Sequence, residues 1–431
     1  MLSIIPSLKA QIDTFDISQF ILPEISRKSL NFSGTLNGET RNNSSVINTG
    51  NYTSQNLQAS FFYSNFESDP GHQKITSGNF GVSLNYQNAA QDLNGQAVMD
   101  LLHNNVSIYY DQTNRNYYTS KRFYGVSANL SLINNFNSGV NNGNIRYYDN
   151  TLQSSLNIPL TFGFGRIEPV TDAWHAVRIL ADFETLGLLD HDPTHSDIYE
   201  MAEVLSQLRY ERIFDSRLGR IRRIGTLDKY IEKTGLVKEH NSTYFTSLYD
   251  MYEYGIQAFR SSGERLTFGL APEVSIYMFN EQIKTTSTGY GFFALVDYTF
   301  NYPIDQLWQL DINANFKGGY TWDTNIFRDI GLYLKPIVSV ALGYYPNSRT
   351  YFNSTLTAGG VYGTAFNSDG QFTVYSSIAG NMYYYFSPRT ALQLNLGYFY
   401  SQSGVSTVFS PISALDGFKF TYGINLTHAF Y

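Results

Sequence analysis

The sequence lacks cysteine entirely and is poor in charge. Its 431 residues include no Cys, which excludes disulfides, thiolate metal sites and lipid attachment at an N-terminal cysteine. Charged residues make up 15% of the chain, against about a quarter in ordinary soluble proteins. The formal net charge of −7 argues against nucleic acid as a partner, because phosphate binding needs a positive surface. No run of 18 apolar residues occurs, so a membrane-spanning helix is excluded as well.

Aromatic residues are abundant instead, with 35 Tyr and 31 Phe. These residue types favour β-strands and the boundary between lipid and water. The segments "NYPIDQLWQLDIN", "YYPNSRTYFNSTL" and "YFSPRTALQLNLG" share one plan, in which aromatics precede a proline, a polar turn and an alternating strand. The prolines, Pro303, Pro346 and Pro388, are 43 and 42 residues apart. Two long strands with one turn and one loop need roughly that length, so the repeat predicts β-hairpins.

The predicted strands are long, and their two faces differ. In "LWQLDINANFKGGY" apolar residues from Trp308 to Tyr320 alternate with polar residues or glycine. The segments "TALQLNLGYFY" and "ERLTFGLAPEVSIYM" alternate in the same way. A tilted strand needs about 9–11 residues to cross a bilayer, and these runs are long enough. The alternation therefore predicts transmembrane strands with an oily face toward lipid.

One segment has a different composition. Residues 166–260 hold 28 charged residues among 95, whereas the other 336 residues hold 37. Helical periodicity predicts an α-helical insert there. We expect Thr171 or Asp172 to cap its first helix. Ile221 of the third helix should face a core that the helices share. Four helices are expected, at 171–187, 196–214, 216–234 and 243–254.

The strand count can be checked by parity. We predict about 14 strands, eight after residue 261 and six before the insert, near 29–40, 52–66, 74–87, 104–112, 118–133 and 147–163. An even number before the insert places its two ends on the side of the short proline turns. The Asn-rich stretches "NGETRNNSSVINTGN" and "INNFNSGVNNGN" are expected to be long loops on the other side. This asymmetry is typical of an outer-membrane barrel, whose short turns are periplasmic.

The expected fold is a membrane all-β protein, a closed antiparallel transmembrane β-barrel with a small α-helical periplasmic domain inserted. Residues 11–165 and 261–431 should form the barrel, and residues 166–260 the insert. Closure should pair the strand near Leu30–Leu36 with Phe418–Phe430, because an unpaired edge in lipid is costly. Residues 1–10 have the apolar core and small final residue of a signal-peptide remnant, which indicates export.

The last segment, "GFKFTYGINLTHAFY", resembles the C-terminal strand of Gram-negative outer-membrane β-barrel proteins. His428 and an additional Tyr431 depart from that pattern. The resemblance implies a place in the cell outer membrane, contact with its lipid, insertion by the barrel-assembly machinery and a porin-like or transporter-like class. The matching residues are Thr421, Gly423 and Leu426, with Phe418, Phe420, Tyr422, Ile424 and Phe430 on the apolar face.

Charged residues on the wet face of the predicted strands are candidates for lining a pore. Both signs occur among them, so strong ion selectivity does not follow. They are Arg265, Glu273, Asp297, Asp311, Lys317, Lys335 and Lys419.

Arginines crowd one part of the insert and outnumber the nearby carboxylates. They suggest docking to an anionic periplasmic protein, a lipid phosphate or the cell wall, although a solvated face with i,i+4 ion pairs uses the same residues. They are Arg209, Arg212, Arg217, Arg220, Arg222 and Arg223.

The segment "DHDPTHSD" contains His191 and His195 among three aspartates, which admits a metal site. A proline turn followed by a capping box from Thr194 to Asp197 needs the same residue types, and we favour the capping box. No cofactor or metal is predicted. The barrel histidines, expected in loops or turns except for His428, form no catalytic set with a serine and an acid, so no enzyme is predicted.

Two functions remain open on the sequence. The first is a channel, porin or substrate transporter of the outer membrane, with the helical insert as a docking or gating domain. The second is an anchor or scaffold that carries the helical domain within a secretion or envelope-assembly complex. A passive channel does not require a folded insert, whereas a docking protein does.

Overall fold

A computed structural model describes most of the chain. The described residues are 15–21, 24–44, 49–92, 97–141, 145–209, 216–255, 258–280, 284–323, 331–364, 371–387, 390–404 and 417–428. The predicted signal-peptide remnant, residues 1–10, lies outside them. No helix among these residues is long and apolar enough to span a membrane.

The described chain contains fifteen strands and four α-helices. The strands are β1 Ile25–Ser44, β2 Thr49–Asp69, β3 His72–Asp92, β4 Ala97–Tyr117, β5 Arg122–Asn141, β6 Ile145–Asn157, β7 Leu160–Pro169, β8 Ser261–Asn280, β9 Lys284–Pro303, β10 Trp308–Asp323, β11 Gly331–Tyr344, β12 Thr350–Gly363, β13 Gln371–Ser387, β14 Thr390–Gly404 and β15 Gly417–His428. The helices are α1 Thr171–Thr185, α2 His195–Arg209, α3 Ser216–Thr234 and α4 Ser242–Tyr254. A 3₁₀ turn at Ile17–Gln19 precedes β1.

The strands pair in sequence order into one antiparallel sheet that curls into a barrel, which is the fold class predicted from the sequence. β6 and β7 occupy a single place in it, since both lie between β5 and β8. They are interrupted at Pro159, beside Pro272 of β8, because neither proline has an N–H for the ladder. The register against both neighbours is unchanged across the interruption. The barrel therefore has 14 strand positions, as predicted.

The first five strands are longer than predicted, at 20 or 21 residues each. The stretches "NGETRNNSSVINTGN" and "INNFNSGVNNGN" were expected to be loops, but most of their residues continue the ladders, as far as Ser44 opposite Thr49 and Asn141 opposite Ile145. His72 and His103, expected in loops or turns, lie in strands for the same reason. Backbone pairing continues into water once a hairpin is established, and the polar side chains do not oppose it.

The two faces of the sheet have opposite character. Large apolar side chains point outward along every strand and remain exposed, such as Phe292 and Phe162 at 49% and 57%. The other face carries mainly Asn, Ser, Thr, Gln and Tyr. An exposed apolar band of this extent on a barrel indicates contact with lipid.

β1 and β15 are the strands at which the barrel closes. No ladder joins them within the described ranges, and apolar side chains of both, such as Leu36 and Tyr422, are 75% and 79% exposed. The predicted pairing of Leu30–Leu36 with Phe418–Phe430 stays a prediction, and Phe430 lies outside the described residues.

The insert differs from its prediction in three details. The strand continues through Pro169, three residues past the expected start of the insert at Arg166. Val170 is the N-cap of α1 and offers no side-chain bond, so the assignment of Thr171 or Asp172 was wrong. Both side chains instead make tertiary contacts, described below. Ile221, expected in the core, is 67% exposed.

The helices enclose a common core, as their apolar stripes predicted. Ala176, Leu180, Ile198 and Leu227 have no exposed surface. Gly187 and Gly235 have positive φ of 68° and end α1 and α3, in line with the preference of glycine for the left-handed region. The same core includes Phe15, Ile17 and Phe20 from the N-terminal segment.

Candidate functional site: the turn-side mouth of the barrel

A short two-stranded ribbon leads from the barrel wall to the helical insert. We call it the stem, and it consists of Arg166–Pro169 paired with Ser261–Glu264. Gly165 and Gly263 stand at its base with φ of +88° and +116°. A Cβ on Gly165 would lie 2.0 Å from the carbonyl oxygen of Glu264, and one on Gly263 would lie 2.2 Å from that of Arg166. Only glycine fits either position, and the pair allows the ribbon to turn away from the wall.

Arg166 bonds the stem to the β2–β3 turn of the barrel mouth. Its guanidinium donates to the carbonyl oxygens of Pro70 and Asp69, at 3.0 and 2.8 Å, and to Ser68 Oγ at 2.8 Å. It also lies 4.7 Å from the centre of the Tyr117 ring. The turn that it contacts lies three strand positions away from β7. The stem therefore lies across the opening and does not continue the wall.

Arg260 fixes the other side of the stem to the β9–β10 turn. Its guanidinium donates to the carbonyl oxygens of Asp305, Gln306 and Trp308 at 2.6, 2.9 and 2.6 Å, and its Nε to Gln309 Oε1 at 3.2 Å. Only 1% of the residue is exposed. Carbonyl oxygens satisfy a buried guanidinium without a second charge, so this contact holds the stem and the turn together.

Helix α1 continues the cover from one rim to the other. At one rim, the Trp174 indole donates to the Gln306 carbonyl at 3.0 Å, and its ring meets Tyr345 edge-on at 5.3 Å. At the opposite rim, Arg27 of β1 lies 3.3 Å from the fully buried carboxylate of Asp172. Asp172 lies in the first turn of α1, so an acidic group at this helix end serves a tertiary contact.

Two arginines, the buried Arg260 and the half-buried Arg178, meet around Trp174. Arg178 lies 4.2 Å and Arg260 5.1 Å from the indole ring, and Arg178 also donates to the Tyr345 carbonyl at 2.8 Å. Burial lowers the pKa of Arg178 to about 9, and the nearby charge of Arg260 adds to that effect. Burial lowers the pKa of Arg260 to about 10. Both remain charged at neutral pH, so two like charges share one desolvated patch and the docked arrangement includes a repulsion.

The polar face behind this cover carries the charged residues proposed from the sequence. The strand registers place all seven on this face, and their predicted role in lining a pore stays a prediction. They are Arg265, Glu273, Asp297, Asp311, Lys317, Lys335 and Lys419. Lys317 lies directly opposite Lys335.

Ion pairs on the polar face reach across strands that are not neighbours. Lys317 Nζ of β10 lies 2.7 Å from Glu273 Oε2 of β8, with β9 between them. The concave side of a curved sheet favours such contacts, and the exposed apolar side chains occupy the opposite face, so this face is the inner one. Glu273 also accepts from Asn157 at 3.1 Å. A cavity of about 450 Å³ lies here, and Ser77, Asp111, Asn129, Asn157 and Glu273 line it.

The turn-side end of this interior is filled, in contrast. Polar side chains of the inner face become almost fully buried under the stem, including Gln73, Ser68 and Gln309 at 2%, 4% and 1% exposure. Gln73 donates to the Ile167 carbonyl at 3.2 Å, and Gln309 to the Ser261 carbonyl at 3.0 Å. The stem is thus bonded to both sides of the lumen at this end.

The arginine cluster of the insert is only partly within the described residues. The structure describes the side chains of Arg220, Arg222 and Arg223, but not those of Arg209, Arg212 and Arg217. Arg220 donates to Tyr249 OH at 3.0 Å and lies 3.4 Å from Glu253, and Arg223 lies 5.9 Å from the Tyr252 ring. These two therefore hold α3 against α4, while Arg222 is exposed.

The histidine segment has the geometry of a capping box. Asp197 Oδ2 accepts from the Thr194 backbone N–H at 2.7 Å, and the Asp197 N–H donates to Thr194 Oγ1 at 3.3 Å. His195 packs edge-on against Phe15 at 5.4 Å. Among the residues that the structure describes, no group of three His, Asp or Glu could hold a metal ion.

These features define the class of the protein. An even number of antiparallel strand positions, an apolar outer band and a polar interior describe a transmembrane β-barrel of the outer-membrane type.

Comparison with known proteins gives no family. No protein-family model and no curated protein matches the chain. Among solved structures, it is similar to the translocator domain of the autotransporter NalP from Neisseria meningitidis, with 7% identity and a TM-score of 0.31 over 84% of this chain and 88% of that one. It is also similar to the CymD monoaromatic hydrocarbon channel, with 11% identity and a TM-score of 0.24 over 98% and 94%.

Proposed function

We propose that the protein is a gated channel or solute transporter of the bacterial outer membrane, in which the stem and the helical insert form the gate. One observation carries the proposal: a polar lumen is covered at its turn-side end by a stem that Arg166 and Arg260 hold to opposite rims. Barrels of 8 strands are filled by their own side chains, and those of 16–18 leave a channel. A barrel of 14 positions leaves room that a separate element must close.

The energetics of the cover favour a gate over a permanent plug. Its contacts with the wall include hydrogen bonds to backbone carbonyls, one ion pair from Arg27 to Asp172, and apolar packing of the insert core on Ile25 and Tyr345. Arg178 and Arg260 repel each other within the same patch. An interface that depends in part on hydrogen bonds and an ion pair, and that includes a repulsion, is easier to open than a purely apolar core.

A cross-link tests this proposal, because the chain has no native cysteine. The pair Arg27→Cys with Asp172→Cys removes the ion pair and gives two unique thiols on opposite sides of the contact. In planar bilayers we expect the reduced variant to open more often than the wild type. A short, cleavable bismaleimide linker should then abolish the openings, and cleavage of the linker should restore them.

The matched control places both cysteines on the barrel wall, at Ser29 and Ser64, whose hydroxyls lie 2.7 Å apart. Linking that pair should leave conductance unchanged. A wild-type protein and a reduced variant that both fail to conduct would contradict the proposed function, as would a cross-linked variant that conducts normally.

The orientation belongs to the same proposal, with the turns and the insert in the periplasm. A tag at Asn142, which lies outside the described residues, should be labelled on intact cells. A tag at Asn347 in the β11–β12 turn should be labelled only after the outer membrane is permeabilised. The reverse pattern would place the insert on the cell surface.

The alternative function is an anchor within an envelope complex, and the exposed part of α3 favours it. Ile221 is 67% exposed and stands between Arg220 and Arg222. Replacing Arg220, Arg222 and Arg223 with Gln should then weaken salt-sensitive association with an anionic periplasmic partner and leave barrel assembly intact. A pull-down at two salt concentrations measures this, and the double variant His191→Ala/His195→Ala is the control.

A further inference from the structure

Charge is distributed unevenly around the inner face of the barrel. The strands β8–β11 carry Arg265, Glu273, Asp297, Asp311, Lys317 and Lys335 there. On β12–β15, Lys419 is the only charged residue among the inward side chains that the structure describes. The lumen thus has a charged sector and a nearly neutral one.

The neutral sector presents aromatic rings at its turn-side end. Tyr351 of β12 and Tyr383 of β13 face inward and stack with ring centres 4.3 Å apart and planes inclined by 14°. Tyr345 continues the row at 6.2 Å from Tyr351 and contacts Trp174 of the insert. The rings therefore lead from the wall of β13 to the edge of the gate.

Amides complete the surface around these rings. Gln393 of β14 donates to Tyr383 OH at 2.6 Å and to Asn395 Oδ1 at 2.7 Å. The inward residues between the tyrosines and the loop side are small or uncharged, with Thr355, Ala379 and Gly397 opposite one another in register. The sector offers aromatic rings, neutral hydrogen-bonding groups and small side chains beside them.

Strands β13–β15 of this sector lie beside the gate, whereas Tyr351 of β12 packs against the core of the insert. The contacts of the stem and insert with the wall fall on β1–β4 and on the segment from β9 to β12. β13–β15 lie beyond those contacts. A solute that passes the edge of the cover would meet Tyr383 and Gln393.

On the basis of the proposed transport function, we propose that this sector binds neutral, polyhydroxylated rings, that is, saccharides. A sugar ring has apolar C–H faces that pack on an aromatic ring and hydroxyls that bond to amides. An ionic solute would leave its charge unpaired here, and a hydrocarbon would displace water from the polar groups of this sector without replacing its hydrogen bonds. Tyr383 provides the stacking platform, with the ring face that is turned away from Tyr351, and Gln393 and Asn395 provide the polar contacts.

The experiment measures binding of three neutral trisaccharides, raffinose, maltotriose and cellotriose, to the detergent-solubilised full chain by calorimetry. Block of single-channel current by the same sugars is recorded in parallel. We expect at least one sugar to bind, and zwitterionic trialanine not to bind. Tyr383→Ala should weaken binding about 3- to 10-fold, as expected for loss of one aromatic contact. Tyr383→Phe keeps the aromatic ring and should lose less affinity for the sugar than Tyr383→Ala does.

The matched control is Tyr384→Ala, one residue further along β13, which removes the same side chain from the outer face. It should bind the sugar as the wild type does. No binding of any of the three sugars, or equal losses in Tyr383→Ala and Tyr384→Ala, overturns the inference. Calorimetry does not require conductance, so a chain that binds sugar but never conducts would contradict the channel and leave the sugar site standing.

Discussion

At the scale of single residues, Arg260 has more hydrogen bonds across the gate than any other described side chain there. Arg260→Met keeps an unbranched, flexible side chain but leaves the carbonyls of Asp305, Gln306 and Trp308 without their donor. We expect the docked state to lose about 1–3 kcal/mol, because buried acceptors are left unpaired. Limited proteolysis of the insert and open-channel probability should both increase.

The control for this variant is Lys233→Met, which removes a positive charge from the exposed last turn of α3. It should behave as the wild type does in both measurements. Equal protease resistance of Arg260→Met and the wild type would show that the stem is held by its other contacts.

The capping box gives a second prediction at this scale. Asp197→Ala removes the acceptor for the Thr194 N–H and should cost about 1 kcal/mol of insert stability, the usual value for a lost helix cap. The melting temperature in detergent measures it. His191→Ala should leave the melting temperature unchanged, and EDTA should not affect either protein. A melting temperature of the wild type that falls in EDTA would instead support the metal hypothesis.

At the scale of elements, the stem depends on two glycines. Gly165→Ala and Gly263→Ala each place a Cβ within 2.2 Å of a backbone oxygen at a positive φ. The strain of such a backbone position is about 1–3 kcal/mol, and the clash adds to it. We expect the stem to shift from the mouth, so conductance should increase while the barrel stays folded.

Gly380→Ala is the matched control, because a Cβ there meets nothing within 4 Å. Heat-modifiable migration on gels checks that all three variants retain the barrel. Unaltered gating in both stem variants would show that the ribbon adapts without moving.

At the scale of the whole molecule, closure of the barrel can be tested with introduced cysteines, because the chain has no native cysteine that could form other disulfides. Asn31→Cys on β1 should form a disulfide with one of four partners introduced singly on β15, at Lys419, Thr421, Gly423 or Asn425. All lie on the inner face, and disulfides require Cα atoms about 4.4–6.8 Å apart. Hydrogen bonding between these two edge strands is expected, because each backbone N–H or C=O group left unpaired in lipid costs several kcal/mol of free energy.

Thr357→Cys on β12, combined with Asn31→Cys, is the negative control because it lies in a distant sector of the barrel. Absence of a disulfide with all four β15 partners in the membrane would mean that the first and last strands do not pair.

Some features of the fold could be predicted from the sequence, and others could not. The proline repeat and the two-residue alternation located the strands after residue 261, and parity gave the number of strand positions. The same reasoning misjudged the Asn-rich stretches near Asn43 and Asn137, since composition does not reveal whether a hairpin continues into water. It also missed Arg166 and Arg260, although their positions at the borders of the charged segment were visible.

The sequence by itself determined the barrel, the helical insert and the face on which each charged strand residue lies. These depend on periodicity within a strand or helix, which neighbouring residues alone establish. The tertiary structure alone decided that the stem turns across the mouth, that Asp172 meets Arg27, and that Tyr351 and Tyr383 stack beside the gate. Those contacts join residues far apart in the chain, and they arise only when curvature of the sheet brings distant strands together.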